Sequence, residues 1–197
     1  MFATQYQPQG RTLFLMPAEA ERLLTAAAPH LRPLLAFLLG TGARLSEALE
    51  LEWRDVDLEG GRAIFWRTKN GKRRVAELPP RVTASLSALP NREGRVFLSR
   101  SGRPYADTER QWGGQIKVGW RGAVRRAELN PNLTPHCLRH TWATWHYALK
   151  CDLLRLKQDG GWGSVALVDR YAHLMPAGHE AAIREFLGLE GKLRVVA

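Results

Sequence analysis

Residues 134–140 read Thr134-Pro135-His136-Cys137-Leu138-Arg139-His140. Threonine caps a helix well and proline suits its first position, so a helix is predicted to start here and run to about Leu149. His136, Arg139 and His140 then stand at i, i+3 and i+4 and share one face. His136 and Arg139 lie in the first turns, where free N–H groups and the positive end of the helix dipole favour an anion such as phosphate. The plainer reading is a polar face at a helix start. A zinc pair from His136 and His140 is disfavoured, because Arg139 on the same face repels a metal ion and no Glu lies between the histidines.

Toward the C-terminus, helices are predicted at Asp152–Gln158, Val165–His173 and His179–Leu187, separated by Gly160-Gly161 and Pro176-Ala177-Gly178. Toward the N-terminus, Pro17–Ala28, Leu31–Leu39 and Ala43–Trp53 carry apolar residues at helical spacing. Between them lie two runs of β-formers, Arg62–Arg67 and Arg73–Leu78, joined through the turn pair Asn70-Gly71. A short helix follows from Pro80 to Leu89, and Arg95–Leu98 is expected to add a third, antiparallel strand. Asp107–Glu128 has a helical pattern interrupted by Gly113-Gly114 and Gly119. The fold class is therefore α+β, mainly α-helical with a small antiparallel sheet of two to three strands.

A chain of 197 residues with 45% hydrophobic and 24% charged residues suits one ordinary globular domain. The net charge of +10 and an isoelectric point near 10.3 favour a polyanionic partner, nucleic acid first. A membrane is the weaker candidate, since the apolar run Leu34–Gly40 is far too short to span one. Cys137 and Cys151, with no amino-terminal signal pattern, point to a reducing, cytoplasmic setting.

Four blocks occur in one order: Thr41-Gly42-Ala43-Arg44-Leu45-Ser46-Glu47, Thr68-Lys69-Asn70-Gly71-Lys72, His136 to His140, and Gly161-Trp162 to Tyr171. Together, over Thr41 to Leu174, they resemble the tyrosine recombinase, or phage integrase, family. The resemblance implies that family's catalytic-domain fold. It also implies site-specific DNA recombination or integration, by strand cleavage and rejoining through a 3′-phosphotyrosyl intermediate, with no metal or other cofactor. Such chemistry needs an attacking oxygen, cations for the non-bridging oxygens and a proton donor for the leaving alkoxide.

On that resemblance Tyr171 is the nucleophile, and Arg44 and Arg139 are the two guanidiniums that clamp the scissile phosphate. Lys69 matches the hairpin lysine that protonates the leaving 5′ oxygen, with Lys72 as its neighbouring competitor. His136 matches the active-site histidine and is expected to exchange a proton with the tyrosine hydroxyl. Trp162 stands where many relatives carry histidine. Its indole N–H can donate to phosphate but cannot move a proton, and core packing is compatible with that role. Glu47 is read as the partner holding Arg44 in one rotamer, with a surface i,i+3 pair as the plainer alternative. His140 is assigned to supporting the fold, and Lys72, Arg73 and Arg74 to contacting DNA phosphates.

The catalytic unit is placed at residues 17–177, after a lead-in of residues 1–16. Residues 178–197 form a C-terminal helix and tail, a candidate docking segment through Ile183, Phe186, Leu187 and Leu189. The family's usual N-terminal DNA-binding domain is expected to be absent. Double-stranded DNA is the expected partner, with a homotetramer on DNA and a monomer off it, and no membrane or small-molecule substrate. Two other readings are a type IB topoisomerase-like strand cleavage and a basic DNA-binding module without catalysis. The Gly161-Trp162 and Arg170-Tyr171-Ala172-His173-Leu174 stretches look like the integrase pattern, and a pure binder leaves the catalytic parts unexplained.

Overall fold

An apolar helix, α2 (Arg32–Thr41), occupies the middle of the molecule, with every residue from Leu34 to Thr41 buried. The computed structural model describes residues 12–66, 73–105 and 116–189. Around α2 pack α1 (Pro17–Ala26), α3 (Leu45–Glu50), α4 (Pro80–Ser87) and α6 (His136–Lys150). α5 (Lys117–Arg126) lies on α1, α7 (Leu153–Gly160) lies on α6, and α8 (Glu180–Leu187) closes over α1, α4 and α6. The segment before α1 is tied to α6, since Leu15 N–H donates to Thr141 Oγ1 at 2.9 Å and Trp145 Nε1 donates to the Leu15 carbonyl at 3.1 Å. Among the described residues no helix is long and apolar enough to cross a membrane.

The sheet has three antiparallel strands in the order β1 (Val56–Asp57), β2 (Arg62–Phe65) and β3 (Arg74–Glu77). The expected hairpin is present, and its Asn70-Gly71 turn lies outside the described residues. The expected third strand at Arg95–Leu98 is corrected: that run makes only isolated bridges, Glu52 with Arg95 and Leu98 with Pro104. Val96 and Phe97 are consecutive and both buried, which breaks the two-residue alternation a sheet strand needs.

The third helix is also shorter than its pattern. Apolar spacing suggested Ala43–Trp53, but α3 stops at Glu50. Beyond it the Leu51 carbonyl accepts from Val96 N–H at 3.0 Å and Trp53 N–H donates to Gly94 at 2.9 Å. These bonds to the Gly94–Val96 segment replace the helical ones.

The expected helix at Val165–His173 is instead two 3₁₀ turns, Val165–Leu167 and Asp169–His173. The reason is legible in the spacing. Val165, Val168, Tyr171 and Leu174 recur every third residue, and only a three-residue turn keeps such positions in line; in an α-helix they would spiral away. All four belong to a small apolar cluster with Ala143 and Leu156, distinct from the main core. In α8, Ile183, Phe186 and Leu187 are buried within the same chain.

Candidate active site

Arg139, from the first turn of α6, is 3% exposed. Its guanidinium donates to the Gly42 carbonyl at 2.5 Å and the Gly160 carbonyl at 2.6 Å. It also lies over the Trp162 ring at 4.0 Å. Both acceptors are glycines for steric reasons. A Cβ on Gly42, whose φ is +62°, would meet Trp142 at 2.2 Å, and one on Gly160 would meet Trp162 at 1.8 Å. The bare backbone leaves room for the Trp142 and Trp162 indoles, and Trp162 lies over the arginine while the carbonyls hold it.

Arg44 sits just before α3, in extended conformation, where Glu47 accepts from its backbone N–H at 2.9 Å. Its side chain is 25% exposed and donates to Glu47 Oε1 at 2.5 Å. The buried Glu47 carboxylate takes a second cation, Arg74, at 3.0 Å. Burial raises the Glu47 pKa, but Arg74 and Arg44 outweigh it and hold the carboxyl below its ordinary range.

Arg74 requires a correction. Expected on DNA phosphates, it is buried and committed to Glu47, to the Asp159 carbonyl at 2.9 Å and to the Thr41 carbonyl at 3.5 Å. The hairpin register forces this. Ala63 and Phe65 point into the core, Phe65 pairs with Arg74, and Arg74 and Ala76 therefore point inward too. Burial lowers the Arg74 pKa, offset by Glu47. Arg73, just before the strand, is exposed, with its guanidinium over Trp66 at 5.4 Å. Lys69 and Lys72 lie outside the described residues.

Tyr171 is 1% exposed. Its ring lies beside Trp162, with centroids 5.8 Å apart, and Trp162 in turn stacks on Trp142 at 6.1 Å. The expected partner of its hydroxyl is also corrected. His140 Nδ1, not His136, lies 2.7 Å from the phenolic oxygen. His136 is exposed and packs edge-on against His140 at 4.7 Å. The two histidines stand one turn apart on the same face, so sequence spacing alone does not choose between them; the 3₁₀ seat of Tyr171 does.

Burial pushes the His140 pKa down to about 4, helped by His136, Arg170 and Arg139, so the ring is neutral at neutral pH. Partial desolvation lowers the His136 pKa as well, with Arg139, Arg44 and Arg170 adding to it. Burial raises the Tyr171 phenol against the opposing pull of Arg170 and Arg139. Arg139 is pushed down to about 9 by burial and by Arg44 and Arg74, which leaves it a cation at neutral pH.

Sequence reading missed the support beneath this cluster. His146 Nε2 meets Asp159 Oδ2 at 2.8 Å, joining α6 to α7, and the Asp159 carbonyl joins α7 to Arg74. The inward alternation of the hairpin was the signal available for Arg74. Among the described residues no group of three His, Cys, Asp or Glu side chains forms a metal-sized cluster.

The phage integrase family model matches residues 14–177. The chain is 30% identical over 181 residues to the integrase of Salmonella phage P22, covering 86% of this chain and 46% of that protein. It is 35% identical over 119 residues to the tyrosine recombinase XerD of Mycobacterium tuberculosis, covering 57% of this chain and 38% of that protein. Among solved structures, the catalytic domain of bacteriophage HP1 integrase superposes with a TM-score of 0.65 at 28% identity, covering 88% of this chain and 95% of that one. The chain thus spans less than half the length of these curated relatives. With the arginine cluster and Tyr171 placed on the same fold, the chain belongs to the phage integrase family, as a tyrosine recombinase catalytic domain.

Proposed function

We propose that this chain breaks and rejoins DNA strands through Tyr171, in site-specific recombination or integration. The observation that carries the reading is the convergence of Arg139, Trp162 and Tyr171 on one cluster, with the Tyr171 hydroxyl bonded to a side chain that can take its proton. The phenolic oxygen attacks the scissile phosphorus and forms a 3′-phosphotyrosyl bond while the 5′ oxygen departs. Arg139 is held by two backbone carbonyls and Arg44 by Glu47, so both guanidiniums are fixed before the charge develops, which is the condition for electrostatic stabilisation without later reorganisation. The Trp162 N–H supplies a further donor to a phosphate oxygen, and Lys69, on the hairpin segment, protonates the leaving 5′ oxygen. Because a phenolate leaves readily, the bond can be reversed by a DNA hydroxyl with no nucleotide cofactor. The partner is double-stranded DNA, consistent with the charge of +10, and the working unit is a homotetramer on DNA.

The test is covalent capture. The chain is incubated with a pool of nicked duplexes of randomised sequence and run on a denaturing gel. A protease-sensitive protein–DNA band is expected from wild type and none from Tyr171→Phe. A band that survives Tyr171→Phe, or wild type that binds duplex yet forms no band, refutes the reading.

A further inference from the structure

We propose that His140 receives the phenolic proton of Tyr171 during strand cleavage and returns it during rejoining. The inference rests on Tyr171 being the nucleophile. Its own ground is geometric. The Tyr171 hydroxyl is sealed from solvent, and among the described residues its hydrogen-bond partner is His140 Nδ1 at 2.7 Å.

The other groups around the phenol either lack an acceptor atom or are less well placed to take the proton. Arg139 has no acceptor atom, and the Trp162 indole only donates. His136 is exposed and lies edge-on to His140. A neutral imidazole with its hydrogen on Nε2 presents a lone pair at Nδ1, to which the phenolic O–H can donate. Burial together with His136, Arg170 and Arg139 keeps the ring in that neutral, accepting form.

The step balances. The Tyr171 Oη–phosphorus bond forms as the phosphorus–O5′ bond breaks, the phenolic proton moves to His140 Nδ1, and the 5′ oxygen takes its proton from the general acid. The negative phosphate arriving beside the ring favours the imidazolium that results. In rejoining, the 5′ hydroxyl attacks the phosphotyrosine, and His140 gives the proton back to the departing phenolate. His140 would thus act on the reacting oxygen itself.

Two measurements test this. In the full chain labelled with ¹⁵N-histidine, NMR at neutral pH should show His140 Nδ1 as an unprotonated acceptor whose resonance moves in Tyr171→Phe. A protonated Nδ1, or a resonance indifferent to loss of the hydroxyl, overturns the assignment. In covalent capture, His140→Ala should slow adduct formation by on the order of a hundredfold. The slowing should persist on nicked duplexes whose 5′ bridging oxygen is replaced by sulfur, an atom that leaves without a proton donor. Recovery with sulfur would place His140 on the leaving-group side and sink the proposal.

His140→Asn can accept the phenolic hydrogen bond but not the proton, so it should remain slow. Full activity in that variant would reduce His140 to orientation. Wild type that binds DNA without a Tyr171 adduct sinks the nucleophile reading and this inference with it, whereas adduct formation indifferent to His140→Ala sinks this inference alone.

Discussion

Glu47 is a carboxylate shared by Arg44 and Arg74 with Arg139 close by, and that position sets its sensitivity to change. Neutralising it leaves a buried guanidinium at Arg74 without its counter-charge, so Glu47→Gln should cost about 3 kcal/mol in urea unfolding and should slow covalent capture by loosening Arg44. Because the folded Glu47 pKa is depressed, its stabilisation is present above the unfolded carboxylate range and is lost as pH falls through the folded value. His140 behaves differently. Its folded pKa near 4 lies below the unfolded value of about 6.5, so the unfolded chain binds an extra proton between them. Melting temperature should drop as pH falls from about 6.5 toward 4, and His140→Gln should flatten part of that drop. Arg44, Glu47, Arg139, Trp162 and Tyr171 could be singled out through the family resemblance because each sits in one of the short blocks that carry it. The inward turn of Arg74 depends on strand register, and the choice of His140 over His136 depends on a segment some thirty residues away. Neither is a local property.

At the scale of elements, helices announced by long apolar periodicity were read within a turn or so of their ends. α6 runs to Lys150 and α8 ends at Leu187. Pattern and structure part where a short-range pattern competes with a bond to a distant segment, as at the end of α3, or where the apolar period is three rather than 3.6, as at Val165–His173. The pair of glycine carbonyls on Arg139 makes a further expectation specific. Gly160→Ala places a methyl inside the Trp162 ring, and such overpacking typically costs about 1–3 kcal/mol. A lowered thermal midpoint and altered intrinsic tryptophan fluorescence should report the displaced indole, and an unchanged spectrum would contradict the packing described.

For the whole molecule, the charge of +10 should make duplex binding steeply dependent on ionic strength. Affinity measured by fluorescence anisotropy should fall on the order of a hundredfold to a thousandfold between about 50 and about 200 mM salt, and a flat response would argue against phosphate-led binding. The division of the interior into two apolar clusters bears on how the molecule moves. Val168 and Tyr171 belong to the smaller cluster, on 3₁₀ turns whose last bond, Leu174 N–H to the Tyr171 carbonyl, stretches to 3.5 Å. Amide hydrogens of residues 165–173 should therefore exchange orders of magnitude faster than those in the middle of α6, because the smaller cluster can open while the larger stays shut. On the proposed function, Tyr171 thus rides on a separately packed part of the protein, and reaching a bound strand would cost a local breath rather than the fold.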